Sequence, residues 1–129
     1  MDWGQVPIEI EERLRKICLA LPETREEQAW NGRRWLIRNR TFAHVFVVDQ
    51  GGEPLPPMMQ FRSNPPELDA LLHAGHPFFR AGWGHNVMAM VFDDTVDWDE
   101  VAELVADSYC VQAPKKLAAL VSGGATPPR

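Results

Sequence analysis

The chain has 129 residues, with 13 Lys plus Arg against 18 Asp plus Glu, and its formal net charge is −5. This length fits one domain with a hydrophobic core, and a composition that is 45% hydrophobic and 24% charged excludes a disordered or collagen-like chain. No apolar run approaches the ~20 residues that span a bilayer, and an acidic chain does not coat nucleic acid through bulk charge.

The first half of the chain predicts a helix followed by strands. Apolar residues with helical spacing predict a helix over 7–21, which Pro22 ends. Residues 33–38 predict a strand, and the β-branched and aromatic residues of 41–48 predict a second one after a short turn. Another short strand is predicted over 58–62. Short links between neighbouring strands favour antiparallel pairing.

The next segment begins with a helix signal. Asn64 can cap a helix in which Glu67 lies three residues after the cap, and Gly75 can end it. A glycine- and aromatic-rich stretch follows, and residues 86–92 predict a strand.

The last segment predicts two helices. Asp97 and Glu100 form a second capping box, which opens a helix to about Cys110. Pro114 begins a last short helix, and we expect residues 122–129 to be a flexible tail after a single domain over 1–121.

Several blocks of this sequence carry a family signature. Over roughly residues 8 to 121 the chain resembles the MmcQ/YjbR-like family, through Cys18–Thr24, Glu27–Trp30, Thr41–Ala43, His76–Phe79, Asp97–Val101 and Ala113–Leu117. The resemblance implies a small bacterial α/β domain of frataxin-like (CyaY-like) architecture, which is likened to a double-wing DNA-binding fold. The expected fold class is therefore α/β (α+β), with an antiparallel sheet of about five strands and helices packed on one face.

The segment from Gln28 to Val48 carries four arginines and no acid, which gives it a charge of +4. Arginine side chains bind phosphates through two parallel hydrogen bonds, and Trp35 can either stack on a base or cover apolar surface. The alternative is a solvated outer face whose charges keep a sheet from aggregating. The candidate nucleic-acid contacts are Arg33, Arg34, Trp35, Arg38 and Arg40, with Lys115 and Lys116 as an extension.

Strand alternation makes a specific prediction for the first strand of this hairpin. It places Arg34, Leu36 and Arg38 on one face and Arg33, Trp35 and Ile37 on the other.

Acidic residues concentrate near the last helices. The run Asp93, Asp94, Asp97, Asp99, Glu100, Glu103 and Asp107 carries −7, which indicates either a surface for a basic partner or simple capping at the positive end of a helix dipole. The run lacks the spacing and the central glycine of a calcium loop. The histidines match no standard zinc pattern, so no metal and no cofactor are expected.

A second candidate site lies in the glycine- and aromatic-rich stretch. Phe78, Phe79, Trp83 and His85 can line a small-molecule pocket, or the stretch can anchor a loop to the core.

Nothing in the sequence indicates catalysis. The chain contains no nucleophile elbow and no phosphate-binding loop, and Cys18 falls on the apolar stripe of the first helix. Two cysteines are too few for a disulfide scaffold, and the first residues lack a secretory pattern, so we expect a cytoplasmic monomer. The hypotheses are a non-enzymatic DNA-binding module, a small-molecule-binding or sequestering protein, and a module that meets a basic partner.

Overall fold

The computed structural model describes residues 6–29, 31–50, 53–54, 56–80 and 86–125. The helices are α1 (Ile8–Leu19), α2 (Pro65–Ala74), α3 (Trp98–Gln112) and α4 (Lys115–Ala125). The strands are β1 (Thr24–Gln28), β2 (Arg33–Ile37), β3 (Arg40–Phe46), β4 (Asp49–Gln50), β5 (Glu53–Pro54), β6 (Met58–Arg62), β7 (Phe78–Arg80) and β8 (Val87–Val91). Among these residues, no helix is long and apolar enough to cross a membrane.

Six strands form one antiparallel sheet in the order β1-β2-β3-β6-β8-β7, and β4 pairs with β5 separately. The α+β class is confirmed, with six strands in the main sheet where about five were expected. The unexpected strands are β1, whose sequence is polar, and β7, which has three residues.

The core lies between one face of this sheet and the helices. Helix α3 contacts β3 and β6, α1 contacts β1, β2 and α3, and α4 packs on α3. The ring of Tyr109 on α3 meets Phe42 on β3 edge to face, with centroids 5.5 Å apart. Cys18 is fully buried in the same cluster, and this burial raises the pKa of its thiol, which makes it unreactive.

The β2–β3 pair contains a register shift, and the turn after β2 corrects one part of the predicted alternation. Trp35 lies opposite Ala43 while Leu36 lies opposite Thr41, so β3 holds one extra residue at this point. Trp35, Leu36 and Ile37 are all buried. Arg38 is not part of the strand, because it lies in the following turn with a φ of 57°.

The helix starts agree with the sequence in one case and differ in the other. Asp97 caps α3 as predicted, because its carboxylate accepts the backbone N–H groups of Asp99 and Glu100. Asn64 precedes α2 without a side-chain capping bond, and Glu67 instead accepts a hydrogen bond from the Ser63 hydroxyl. Helix α4 continues to Ala125, beyond its predicted end.

Candidate functional site

A row of polar side chains crosses the sheet face that points away from the helices, here called the outer face. Glu27 of β1 lies opposite Arg34 of β2, Arg34 lies opposite His44 of β3, and His44 lies opposite Gln60 of β6. Their neighbours along each strand, such as Trp35 and Met59, belong to the core. Since side chains alternate along a strand, these four residues share the outer face, and we call them the polar row.

Arg34 has one buried hydrogen-bonding group that has no partner among the described residues. Its Nη2 donates to Glu27 Oε1 at 2.9 Å. Its Nε is buried and makes no hydrogen bond to the described part of the chain. A buried N–H without an acceptor costs about 1–3 kcal/mol, so this position favours an added acceptor atom.

His44 is held in one tautomer. Its Nε2 lies 2.7 Å from the backbone carbonyl of Asn31, and because a carbonyl can only accept, Nε2 carries the hydrogen. Burial is the main cause of a lowered pKa at His44, and the charge of Arg34 lowers this pKa further. The hydrogen bond to Asn31 acts in the opposite direction, but its effect is smaller than that of burial. The ring is therefore neutral at neutral pH, with a lone pair on Nδ1 that has no partner among the described residues.

The turn between β1 and β2 fixes the position of this histidine. Asn31 donates from Nδ2 to the Val47 carbonyl at 3.1 Å, and Ala29 N–H donates to the Gly32 carbonyl at 3.0 Å. Gly32 has a φ of 83°, and a Cβ there would lie 1.8 Å from the backbone oxygen of Val45. Only glycine fits at this close approach of two backbones.

The polar row borders a cleft of about 540 Å³. Among the described lining residues, the cationic groups are Arg34 and Arg62, and none is a carboxylate. The backbone N–H of Arg62 donates to Ser108 Oγ at 2.7 Å, which ties this side of the cleft to α3. The lining residues are Gln28, Ala29, Asn31, Arg34, Thr41, Phe42, His44, Gln60, Phe61, Arg62 and Val87.

The neighbouring residues of β2 serve a different purpose on the helix side. Trp35 is fully buried and donates a hydrogen bond from Nε1 to Glu26 at 3.0 Å. The expectation that Trp35 contacts nucleic acid is therefore wrong, because no face of its ring is accessible to a base. Arg33 pairs with Glu26 at 3.2 Å and with Glu11 of α1 at 3.3 Å. Arg15 of α1 also donates to Glu26, at 2.8 Å. These groups join α1 to the sheet.

The remaining predicted cations lie toward the β2–β3 turn and the start of α4. Arg38 pairs with Glu23 at 3.4 Å, while the exposed Arg40 has no ion-pair partner in the described ranges. Lys115 and Lys116 are exposed as well. Three of the four hairpin arginines therefore pair with carboxylates of β1, α1 or the loop between them. These carboxylates lie outside the basic segment in the sequence, so the charge of that segment did not indicate the pairing.

The two predicted pocket residues that the structure describes, Phe78 and Phe79, face opposite sides of the sheet. Phe78 lies in the core opposite Met90, whereas Phe79 is 39% exposed opposite Ala89 on the outer face. Trp83 and His85 lie outside the described residues. A pocket formed by all four stays a prediction.

The acidic run is partly explained by local contacts. Asp93 accepts hydrogen bonds from the Thr95 hydroxyl at 2.6 Å and from His76 at 2.7 Å, and the Thr95 contact is the main cause of a pKa lowered to about 2. Within the described ranges, no group of three or more His, Cys, Asp or Glu is placed to hold a metal ion.

Sequence reasoning missed the cleft because its described lining comes from five strands and from the turn between β1 and β2. Neither His44 nor Gln60 belongs to the candidate site residues that the sequence indicated. The one available signal was Arg34, which the alternation correctly placed on the face opposite Arg33 and Trp35.

Comparison with known proteins extends these observations. The YjbR family model matches residues 19–111. A search of the curated proteins gave no match. A Deinococcus radiodurans protein, DR2400, described with the family-model domain DUF419, is 18% identical with a TM-score of 0.66, and the match covers 87% of each chain. A Pseudomonas syringae protein is 10% identical with a TM-score of 0.62, over 81% of this chain and 97% of that one. At these identities the two structures establish a shared fold, while the family model spans most of the sequence, and the chain therefore belongs to the YjbR family.

Proposed function

We propose that this protein binds a small molecule, without transforming it, in the cleft on the outer face. The observation that carries the proposal is the buried Arg34 Nε, an N–H without an acceptor among the described residues, on a side chain that lines a cleft of about 540 Å³. Clefts of this size accommodate drug-sized ligands and use a few polar groups to orient them. Binding without catalysis is supported by the lack of a nucleophile motif in the sequence.

The structure of the site favours a ligand over a purely structural role. A structural arginine has its hydrogen bonds satisfied, as the Arg33 and Glu26 pair illustrates. Arg34 instead keeps one donor without a partner beside a neutral histidine that keeps an acceptor. A ligand oxygen at Arg34 Nε removes the cost of the buried N–H, and this gain is part of the binding free energy.

A thermal-shift screen against a metabolite panel tests the proposal. A ligand that binds only the native state raises the melting temperature. We expect at least one compound that stabilises the wild type and the control Arg38→Gln but not Arg34→Gln, because Arg38 lies outside the cleft. Hits that stabilise all three proteins equally, or no hits at all, would contradict the proposal.

DNA binding is the second candidate function. It is supported by the resemblance to a double-wing, CyaY-like architecture and by the exposed side chains of Arg38, Arg40, Lys115 and Lys116. Gln112 at the end of α3 donates to the Thr41 carbonyl at 2.9 Å, which brings the α3–α4 junction beside the start of β3. On this proposal, phosphates meet these exposed cations, and Arg33 and Arg34 stay with their carboxylates.

Fluorescence anisotropy with duplex DNA, measured from low to moderate salt, tests the second candidate. Four phosphate contacts predict a slope of about −3 to −4 in a plot of log K against log salt concentration. Replacing Arg40 and Lys115 together by Gln is expected to reduce the slope by about two, whereas Arg34→Gln is expected to leave it unchanged. An absence of binding at low salt would eliminate this candidate.

A further inference from the structure

We infer that the cleft selects small hydroxycarboxylates, whose carboxylate accepts a hydrogen bond from Arg34 Nε while the adjacent hydroxyl donates to His44 Nδ1. This inference rests on the proposed function, because it assigns a ligand class to the same cleft. Three features carry it: the spacing of the two side chains, the fixed tautomer of the histidine and the charge of the lining.

The spacing requires the two ligand groups to be neighbours. Arg34 and His44 lie directly opposite each other on adjacent antiparallel strands. Side chains in this relation have Cβ atoms about 5 Å apart and extend in the same direction from the sheet. One acceptor and one donor on adjacent ligand carbons can therefore meet both residues together.

The histidine requires a donor rather than a second acceptor. The Nε2 hydrogen is committed to the Asn31 carbonyl at 2.7 Å, so Nδ1 presents a lone pair. An anionic oxygen facing this lone pair is repelled, whereas a hydroxyl donates to it. A carboxylate without a neighbouring hydroxyl leaves this acceptor without its hydrogen bond.

The charge of the site favours a single negative charge on the ligand. Arg34 and Arg62 contribute positive charge to the lining, and no carboxylate is among the lining residues that the structure describes. Arg34 already shares its charge with Glu27 at 2.9 Å and has Nε as its remaining buried donor. This arrangement suits a carboxylate better than a phosphate dianion, which needs more donors to balance its charge and oxygens.

Four matched probes distinguish these requirements in NMR titrations of the whole protein. Mandelate has the carboxylate and the hydroxyl, and phenylacetate lacks the hydroxyl. 1-Phenylethanol keeps the hydroxyl on the same carbon and has a methyl group in place of the carboxylate, and phenyl phosphate has a dianionic headgroup. We expect mandelate to bind about fivefold more tightly than phenylacetate, which is the contribution of one hydrogen bond. We expect weaker binding still from 1-phenylethanol, and phenyl phosphate is expected not to exceed mandelate.

Two variants assign the selectivity to the named atoms. His44→Phe keeps a planar ring but removes the acceptor, so mandelate affinity is expected to fall to the phenylacetate level while phenylacetate affinity stays the same. Arg34→Gln is expected to weaken both carboxylates, and Arg38→Gln neither. If His44→Phe does not fold, the ¹⁵N resonance of His44 Nδ1 in the wild type replaces it: it is expected to shift with mandelate and not with phenylacetate.

The outcomes separate this inference from the proposed function. Equal affinity for mandelate and phenylacetate, tighter binding of phenyl phosphate, or no binding of mandelate would each overturn the hydroxycarboxylate assignment. In each of those cases an Arg34-dependent hit in the metabolite panel would leave the proposed function intact. Failure of both the probes and the panel would overturn both.

Discussion

Arg33 and Arg34 are consecutive residues of one strand, yet they belong to two different environments. Arg33 faces the helices, where it donates a hydrogen bond to Glu26 and forms an ion pair with Glu11. Arg34 faces the outer side, where Glu27 pairs with its Nη2 and its buried Nε has no acceptor among the described residues. Two arginines that look equivalent in the sequence thus differ in the buried hydrogen-bond donors that have no protein partner.

The difference shows that a basic segment is not by itself a binding surface. On the helix side, Glu26 is the common partner of Arg15, Arg33 and Trp35, and its carboxylate joins α1 to β1 and β2. On the outer side, the polar row has spare hydrogen-bonding capacity at Arg34 and His44. We therefore interpret the helix side as structural and the outer side as functional.

The largest expected effect is on the helix side. Trp35→Ala removes a fully buried indole and leaves Glu26 without one of its donors. We expect the free energy of unfolding to fall by about 4 kcal/mol. Chemical denaturation measures this change, and a loss below about 1 kcal/mol would contradict the core position of the ring.

Glu26→Gln is expected to cost about 2 kcal/mol, because three donors lose a charged acceptor. The hydrogen bond from Arg15 is the main cause of a lowered pKa at Glu26, aided by Trp35 and Arg33. A native pKa below the ordinary 4.5 means that the unfolded chain binds the proton more readily. The stabilisation is therefore present above pH 4.5 and is lost as the pH falls through the native pKa.

Denaturation of wild type and Glu26→Gln at a series of pH values tests the sign. The difference in stability between them is expected to be largest near neutral pH and to shrink below pH 4.5. A difference that stays constant down to the lowest accessible pH would show that the carboxylate charge contributes nothing.

The paired variants Arg33→Gln and Arg34→Gln test the contrast most simply. We expect Arg33→Gln to destabilise the fold by about 1.5 kcal/mol, because it leaves Glu26 and Glu11 with fewer donors. Arg34→Gln is expected to cause no comparable loss, because it gives up a partly exposed pair with Glu27 worth at most about 0.5 kcal/mol and also removes the buried N–H that has no acceptor. Equal losses in the two variants, measured by chemical denaturation, would remove the distinction between the faces.

The smallest expected effect is on ligand affinity. Glu27→Gln removes the negative charge beside Arg34 but keeps an oxygen that can accept from it. We expect anionic ligands of the cleft to bind roughly two- to threefold more tightly, and the gain to disappear at high salt. Weaker binding in a calorimetric titration would show that Glu27 holds Arg34 in its binding position.

The sequence predicted those elements whose signal is local. The strand over 58–62 matches β6, and Asp97 caps α3 as its spacing indicated. β1 was missed because its sequence, TREEQ, shows no apolar alternation, and its pairing with β2 depends on carboxylates that meet arginines seven residues away. The bulge at Phe42 depends on packing between strands and α3, which no local pattern records.

The candidate site was less predictable than the fold. The +4 charge of the hairpin counts only residues within that segment of the sequence. The carboxylates that pair with its arginines precede the segment and come close to it only in the folded protein: they are Glu11, Glu23, Glu26 and Glu27. The cleft depends on the register that aligns Arg34, His44 and Gln60. Such a register follows from the whole sheet, so one sequence without its pairing partners does not reveal it.

The most direct test is a ¹⁵N NMR spectrum of the arginine Nε–H groups during titration with mandelate. Binding in the cleft predicts that the Arg34 resonance shifts in a saturable way, while those of Arg33 and Arg38 stay in place. Shifts at Arg38 and Arg40 with an unchanged Arg34 resonance would contradict it, because they would place the binding surface at the hairpin turn instead of the cleft.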